Sequence, residues 1–192
     1  MKYVLSLCAA CLCTILMVSC NKGGANGADA ALMKADSVKK ANIAAYNAVN
    51  DMFNSGKMDG LDKYIAANYT EHHMPPGAKP GLDGLKEHMT MLHASFPDMK
   101  FTINSITADS NMIWALMTMT GTNSGPFMGM PPTGKQINFQ GADIVRLENG
   151  KCVEHWGFFE EMKMMQQMGM MPPMGGPHEG EGDAKAAPKA KS

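Results

Sequence analysis

The sequence predicts an α+β fold, with N-terminal helices packed against one side of a curved antiparallel sheet. Three observations predict it. Up to Phe96 the apolar residues recur at helical spacing, and after Pro97 the period changes to two. Asn149-Gly150, a strong hairpin signal, joins two long strand-like runs. A short helical stretch from Glu160 to Met168 follows the strands.

The first helix is expected from about Asp36 to Asn54, where Ile43, Tyr46, Val49 and Phe53 form one apolar face. Ser55-Gly56 stops it. A short helix around Leu61–Ala67 and a brief extended piece, Tyr69–His73, come next. Pro75-Pro76-Gly77 reads as a loop. In the helix Leu82–Phe96, residues Leu82, Leu85, Met89, Leu92 and Phe96 line one face, and Pro97 ends it. Strands follow from Met99 to about Ala108, Met112 to Thr120, Gln136 to Leu147 and Lys151 to Phe159. The second has apolar residues on both faces, as a central strand does.

The ends read differently. Lys2 and the apolar run Val4–Val18, too short to span a membrane, form a signal peptide over residues 1–19. Met17-Val18-Ser19-Cys20 resembles a bacterial lipobox, which implies lipid on Cys20 and a membrane-anchored protein of the cell envelope. Residues 20–35, rich in Gly and Ala, read as a tether. Residues 170–192, rich in Met, Pro, Gly and Lys, read as a disordered tail. The single domain is therefore 36–169.

Cys8, Cys11 and Cys13 leave with the signal peptide and Cys20 is lipidated, so Cys152 alone remains and no disulfide is expected. With one cysteine left, the mature chain has no CxxC metal pattern. Without Lys2 the 17 basic residues fall to 16 against 18 acidic ones, with no basic stripe, which argues against nucleic-acid binding.

The most distinctive stretch is Gly121–Lys135, Gly-Thr-Asn-Ser-Gly-Pro-Phe-Met-Gly-Met-Pro-Pro-Thr-Gly-Lys, where glycines free the backbone and prolines fix it. It resembles the GTHxGxFxGxPPTGK loop of SnoaL-like polyketide cyclases and ester cyclases. Tyr69-x-x-His72, Pro80-Gly81-Leu82-Asp83-Gly84, Phe96-Pro97-Asp98, Asp143-Ile144-Val145-Arg146, Gly150–Trp156 and Gln166-Gln167-Met168-Gly169 resemble further motifs of that family, in its order. The resemblance implies the NTF2-like cone, an apolar cavity for a small carbonyl compound, and a ring-closing aldol reaction. A carboxylate and a His move the protons, with no metal or organic cofactor.

Two positions depart from the family pattern. Asn123 stands where relatives have His; it can donate a hydrogen bond but carries no proton. Gly157 stands where relatives often have Asp, with Glu160 the nearest replacement. The expected catalytic set is therefore Glu160, His72 and Asn123. Each also has a plain structural role open to it, Glu160 as a first-turn acid of the last helix. Trp156, Trp114, Phe127, Met128 and Tyr69 are expected around the ligand.

Alternation places Glu154, Trp156, Phe158 and Glu160 on one face, and His155 on the outer one. His73 is read as solvent-facing, His88 and His93 as lying off the apolar helix face, and Asp143 with Arg146 as a structural pair. A non-catalytic binding cone is the competing reading. A third draws on the 21 methionines, crowded toward Met162–Met174 with His178 beyond, which suit Cu(I) but also fill cores. The sheet's convex face is expected to serve as a homodimer surface.

Overall fold

The computed structural model describes residues 22–74 and 77–172. The expected signal peptide with Cys20, and the expected tail from residue 173 on with Met174 and His178, lie outside them. The chain divides after Asp36 into two compact units, and Ser37 onward holds the fold described below.

Helix α1 spans Lys22–Ser55, starting well before the expected Asp36. Ala25, Ala28, Ala30, Ala31, Leu32, Met33 and Lys34 are strong helix formers, and they outweigh the glycines that suggested a tether. The expected second helix is only a 3₁₀ turn, Leu61–Lys63. Its remainder belongs to strand β1, Ile65–Glu71. Helix α2 covers Gly81–Ser95. Strands β2 (Lys100–Ala108), β3 (Met112–Thr122), β4 (Gln136–Glu148) and β5 (Lys151–Phe159) follow, and then helix α3, Glu161–Met168. The β4–β5 turn has positive φ at Asn149 (51°) and Gly150 (76°), as the Asn-Gly signal requires.

The sheet runs β1-β5-β4-β3-β2. Four strands are antiparallel, but β1 pairs with β5 in parallel, so the sheet is mixed rather than wholly antiparallel. The extended piece at Tyr69 is longer than expected, and it is the intervening α2 and β2–β4 that carry the chain across to a parallel partner. Register shifts at Ile103/Ser105, Arg146/Leu147 and Ile65/Thr70 bend the strands, which curves the sheet around its helices.

The inner face of β3 carries Ile113, Ala115, Met117 and Met119, and that of β4 carries Ile137, Phe139, Val145 and Leu147. Phe96, Met99 and Met168 complete this core, with Phe127, Phe159, Met164, Met165 and Met170 packed on it. The expected apolar hollow is therefore largely filled at this level by methionine and phenylalanine. A second cluster joins α2 to β1 through Leu61, Ile65, Tyr69, Leu82, Leu85 and Met89. The Met170 N–H also donates to the Met165 carbonyl at 2.9 Å, so order extends past the expected start of the tail.

The outer face is apolar but uncovered: Trp114 (41% exposed) and Leu116 (44%) lie in register with Ile144 and Ala142, then Trp156 and Phe158 (59%). Edge strand β2 is guarded from the other side. Asn54 accepts the Phe101 N–H at 2.7 Å and donates to the Phe101 carbonyl at 3.0 Å, imitating a neighbouring strand.

Candidate functional site: a buried carboxylate–imidazole cluster

The expected catalytic residues do not meet. Asn123 is fully buried under the Gly121–Lys135 loop. Its Nδ2 donates to the carbonyls of Gly125 (2.9 Å) and Ser95 (3.5 Å), and its Oδ1 accepts from Thr133 N (2.9 Å) and Oγ1 (3.0 Å). Every polar valence of the side chain is used, so Asn123 pins the loop. Gly125 lets the loop lie on α2: a methyl there would overlap the Ala94 carbonyl oxygen. Glu160 is solvent-exposed, accepting from Gln140 N at 2.8 Å and pairing with Lys163 at 2.9 Å, and both partners hold it below the usual carboxylate range. His72 stacks on Trp156, with centroids 4.6 Å apart and planes 4° from parallel, and lies 3.4 Å from Glu154.

The other expected contacts are also dispersed. Trp114 and Trp156 lie on the outer sheet face, Phe127 packs edge-on against Phe96, and Met128 is 74% exposed. The side chains of β5 alternate in two rows, as expected, but the row expected on the outer face is the inward one. His155 is in register with buried Val145 and faces the helices, while Trp156 is in register with Ile144 on the outer side. The missed signal is Gly157. A glycine opposite Asp143 leaves the inner row without bulk of its own, and apolar Trp156 then looks like the buried row.

The inward row of β5 carries the site. His155 Nδ1 lies 2.6 Å from Glu71 Oε2, and its Nε2 lies 3.2 Å from Asp143 Oδ1. Tyr46 donates to Asp143 Oδ2 at 2.6 Å. Tyr69 donates to Glu71 Oε2, and Glu71 Oε1 accepts the His73 N–H at 3.0 Å. Five side chains from α1, β1, β4 and β5 thus form one chain of polar contacts: Tyr69, Glu71, His155, Asp143, Tyr46. The Asp143 Oδ1 is close to the imidazole but not aligned for a hydrogen bond, and keeps an open buried acceptor valence. Asp143 therefore partners His155 and Tyr46. Arg146, its expected partner, pairs instead with Glu148 and Glu154 on the other face.

The charges follow from this geometry. Burial disfavours the His155 imidazolium, but Asp143 and Glu71 outweigh it and push the pKa up to about 10. Burial likewise opposes the Glu71 charge, and His155 and Tyr69 overcome it, so its pKa falls. Both tyrosines are pushed upward by burial and by their carboxylate partners, and stay neutral donors. Burial raises the Cys152 thiol to about 12, so it is not a nucleophile in neutral water. His88 on α2 has a buried, unpartnered Nδ1, and burial lowers its pKa.

Two recesses lie near the cluster, and cluster residues line the first of them. One of about 230 Å³ is lined by Tyr69, Glu71, Met74, Lys79, Pro80 and Gly81. The other, about 360 Å³, is a groove beside the end of β5 past His155, where β1 has ended, lined by His72, His73, Trp156, Gly157, Phe159 and Glu161 among others. Among the described residues, no group of three or more His, Cys, Asp or Glu side chains is arranged to hold a metal ion. Met168 is buried and Met164, Met165 and Met170 pack on the core, so those four sulfurs fill space in the fold.

Several known proteins are similar to this chain in sequence and fold. The SnoaL-like polyketide cyclase family pattern matches residues 43–168. Nogalonic acid methyl ester cyclase of Streptomyces nogalater is 23% identical over 124 residues, 61% of this chain and 89% of that protein. Aklanonic acid methyl ester cyclase DnrD of Streptomyces peucetius is 25% identical over 127 residues, 62% of this chain and 84% of that one. IdmH of Streptomyces antibioticus superposes with a TM-score of 0.59 at 28% identity, covering 67% of this chain and 98% of its own. With its helices on one face of a five-stranded curved sheet and its family pattern spanning most of the folded unit, this chain belongs to the SnoaL-like polyketide cyclase family.

Proposed function

We propose that this protein performs cofactor-free acid–base chemistry on a small, largely apolar carbonyl compound, as a ring closure or isomerisation. One observation carries the reading: Glu71 borders a recess while its other contacts tie it to the His155 imidazolium. Glu71 is ionised in neutral water, the form a base needs. In the proposed step its carboxylate takes the proton from the carbon beside the carbonyl. The electron pair left on that carbon attacks a second carbonyl of the same molecule, and the new alkoxide is protonated from the cluster. His155 and Asp143 position Glu71 and spread the charge. The methyl ester cyclases it resembles support a ligand of this class.

A second reading is a binding cone without turnover. It is favoured by the full engagement of Asn123 in its loop and by the glycine at 157. We further propose anchoring through lipid on Cys20 at the cell envelope, supported by the Met17–Cys20 pattern. Pairing of two copies through the outer sheet face is supported by its exposed Trp114, Leu116 and Phe158.

Proton exchange tests the chemistry without the natural substrate. Deuterium uptake at the activated carbon of ethyl acetoacetate and of 1-phenyl-1,3-butanedione, followed by NMR, should exceed the buffer rate. Glu71→Gln should return it to background. Binding with exchange at the buffer rate in the wild type favours the second reading, and absence of binding contradicts both.

A further inference from the structure

The inner face of β4 and β5 holds a feature that the acid–base cluster does not use. Gly141 and Gly157 are both buried, and both belong to the inward rows of their strands. The Phe159 ring lies over the two of them. A methyl group at Gly157 would meet ring atoms of Phe159 at 2.5 and 2.8 Å, and one at Gly141 would meet the same ring and the Met119 methyl, each at 2.8 Å or closer. Two adjacent strands therefore lack side chains where one aromatic ring lies flat.

That ring is also a wall. On one side it packs against the Met119 and Phe139 core. On the other it faces the groove of about 360 Å³ beside the end of β5 past His155, beyond the reach of β1, and Gly157 lines that groove as well. His73 holds the ring edge-on, with centroids 5.2 Å apart and planes at 74°, and is itself paired with Glu161 at 2.7 Å. Next to the glycine floor stands His155, whose Cε1 would be 3.3 Å from a methyl on Gly157. The ring thus separates a solvent-connected groove from the inner face that carries the cluster.

We infer that Phe159 is a plug that determines specificity: its ring occupies a flat subsite, floored by Gly141 and Gly157, that a planar aromatic ligand takes when the plug turns into the groove. The inference rests on the acid–base reading for the class of ligand, but not for the existence of the subsite. Flatness follows from the floor, since two side-chain-free positions on neighbouring strands accept a ring face and leave no depth for a branched group. The groove receives the displaced side chain between Trp156 and Glu161. Phe159 then sets both access to the cluster and the size of what reaches it.

The test uses 1-naphthol as the probe, with binding followed by calorimetry on the full chain. Phe159→Ala should bind it at least tenfold more tightly than the wild type, because the subsite is already empty. Adding Gly157→Ala to that variant should remove the gain, because the new methyl stands on the floor of the subsite. Phe159→Leu, which keeps apolar packing, should fall between and serves if the alanine variant does not fold. Equal affinity of the wild type and the Phe159 variants overturns the plug, as does a gain that survives the added Gly157→Ala. Glu71→Gln should leave the tightening intact, so failure of the chemistry and failure of the plug are read separately.

Discussion

His155 and Glu71, 84 residues apart in sequence, meet at 2.6 Å on the inner face of the sheet, where parallel pairing sets them in register. The contact exists because β1 ends beside the middle of β5, so a carboxylate on one edge strand and an imidazole on its neighbour point the same way. Asp143 closes the pair from β4, and Tyr46 reaches it from α1. Removing one member strands the rest. His155→Leu leaves two buried carboxylates without their cation, and should cost roughly 3–5 kcal/mol in urea denaturation. Tyr46→Phe removes one donor from Asp143 and should cost about 1–2 kcal/mol. An equal effect of the two would contradict the linked arrangement.

Stability should fall as the solution becomes alkaline. The folded pKa of His155 is about 10, above its ordinary value of 6.5, so the folded protein holds a proton that the unfolded chain has lost in between. Its contribution is complete below about pH 6.5 and disappears as pH rises through 10. The slope is at most ~1.4 kcal/mol per pH unit for one proton. Between pH 6.5 and about 8, below the range in which the unfolded thiol and phenols lose their protons, this residue should dominate the fall. Urea midpoints across that window should decline in the wild type and flatten in His155→Gln. A wild-type midpoint that rises with pH there contradicts the charge assignment.

The loop carries its own prediction. Asn123→Ala takes the side-chain partner from the Gly125 carbonyl and from the Thr133 N–H and hydroxyl, while the Ser95 carbonyl keeps the Ser124 and Gly125 N–H groups, and should cost roughly 2–4 kcal/mol. Thr133→Val removes only the hydroxyl contact and should cost about 1 kcal/mol. Thermal melts compare the two, and a neutral Asn123→Ala would free this residue for a role beyond holding the loop.

Edge protection is measurable too. Asn54→Ala takes the partner from the Phe101 N–H on strand β2, while the Phe101 carbonyl keeps Asn50 at 3.3 Å. We expect about 1–2 kcal/mol of destabilisation and faster amide exchange at Phe101. Unchanged exchange at that amide would show that the helix, not the side chain, shields the edge.

Much of the fold was legible because it rests on period. The helix at Leu82, the strands after Met99 and the Asn149-Gly150 turn all carry local signals, and the structure places them within a residue or two. The stretch Ile65–Ala67 was misread because Ala66, Ala67 and Asn68 carry no strand preference, and the strand exists through pairing with β5. The candidate site was less legible for a geometric reason. Alternation sorts β5 into two rows, yet it does not say which row faces the helices. Trp156 is more apolar than His155, so burial by hydrophobicity points the wrong way. Only the cross-strand partners Glu71 and Asp143 make a buried histidine cheaper than a buried indole here. Their proximity is long-range, and no spacing in the chain reports it.

The charge on His155 is the most direct point of attack. Nitrogen-15 NMR of histidine-labelled protein reads the protonation of each ring nitrogen as pH is raised. Signals of an imidazolium, with both nitrogens protonated, should persist for His155 past pH 8 and give way near pH 10. A neutral ring at pH 7.5 would contradict the carboxylate–imidazolium–carboxylate cluster, and with it the chemistry proposed for Glu71.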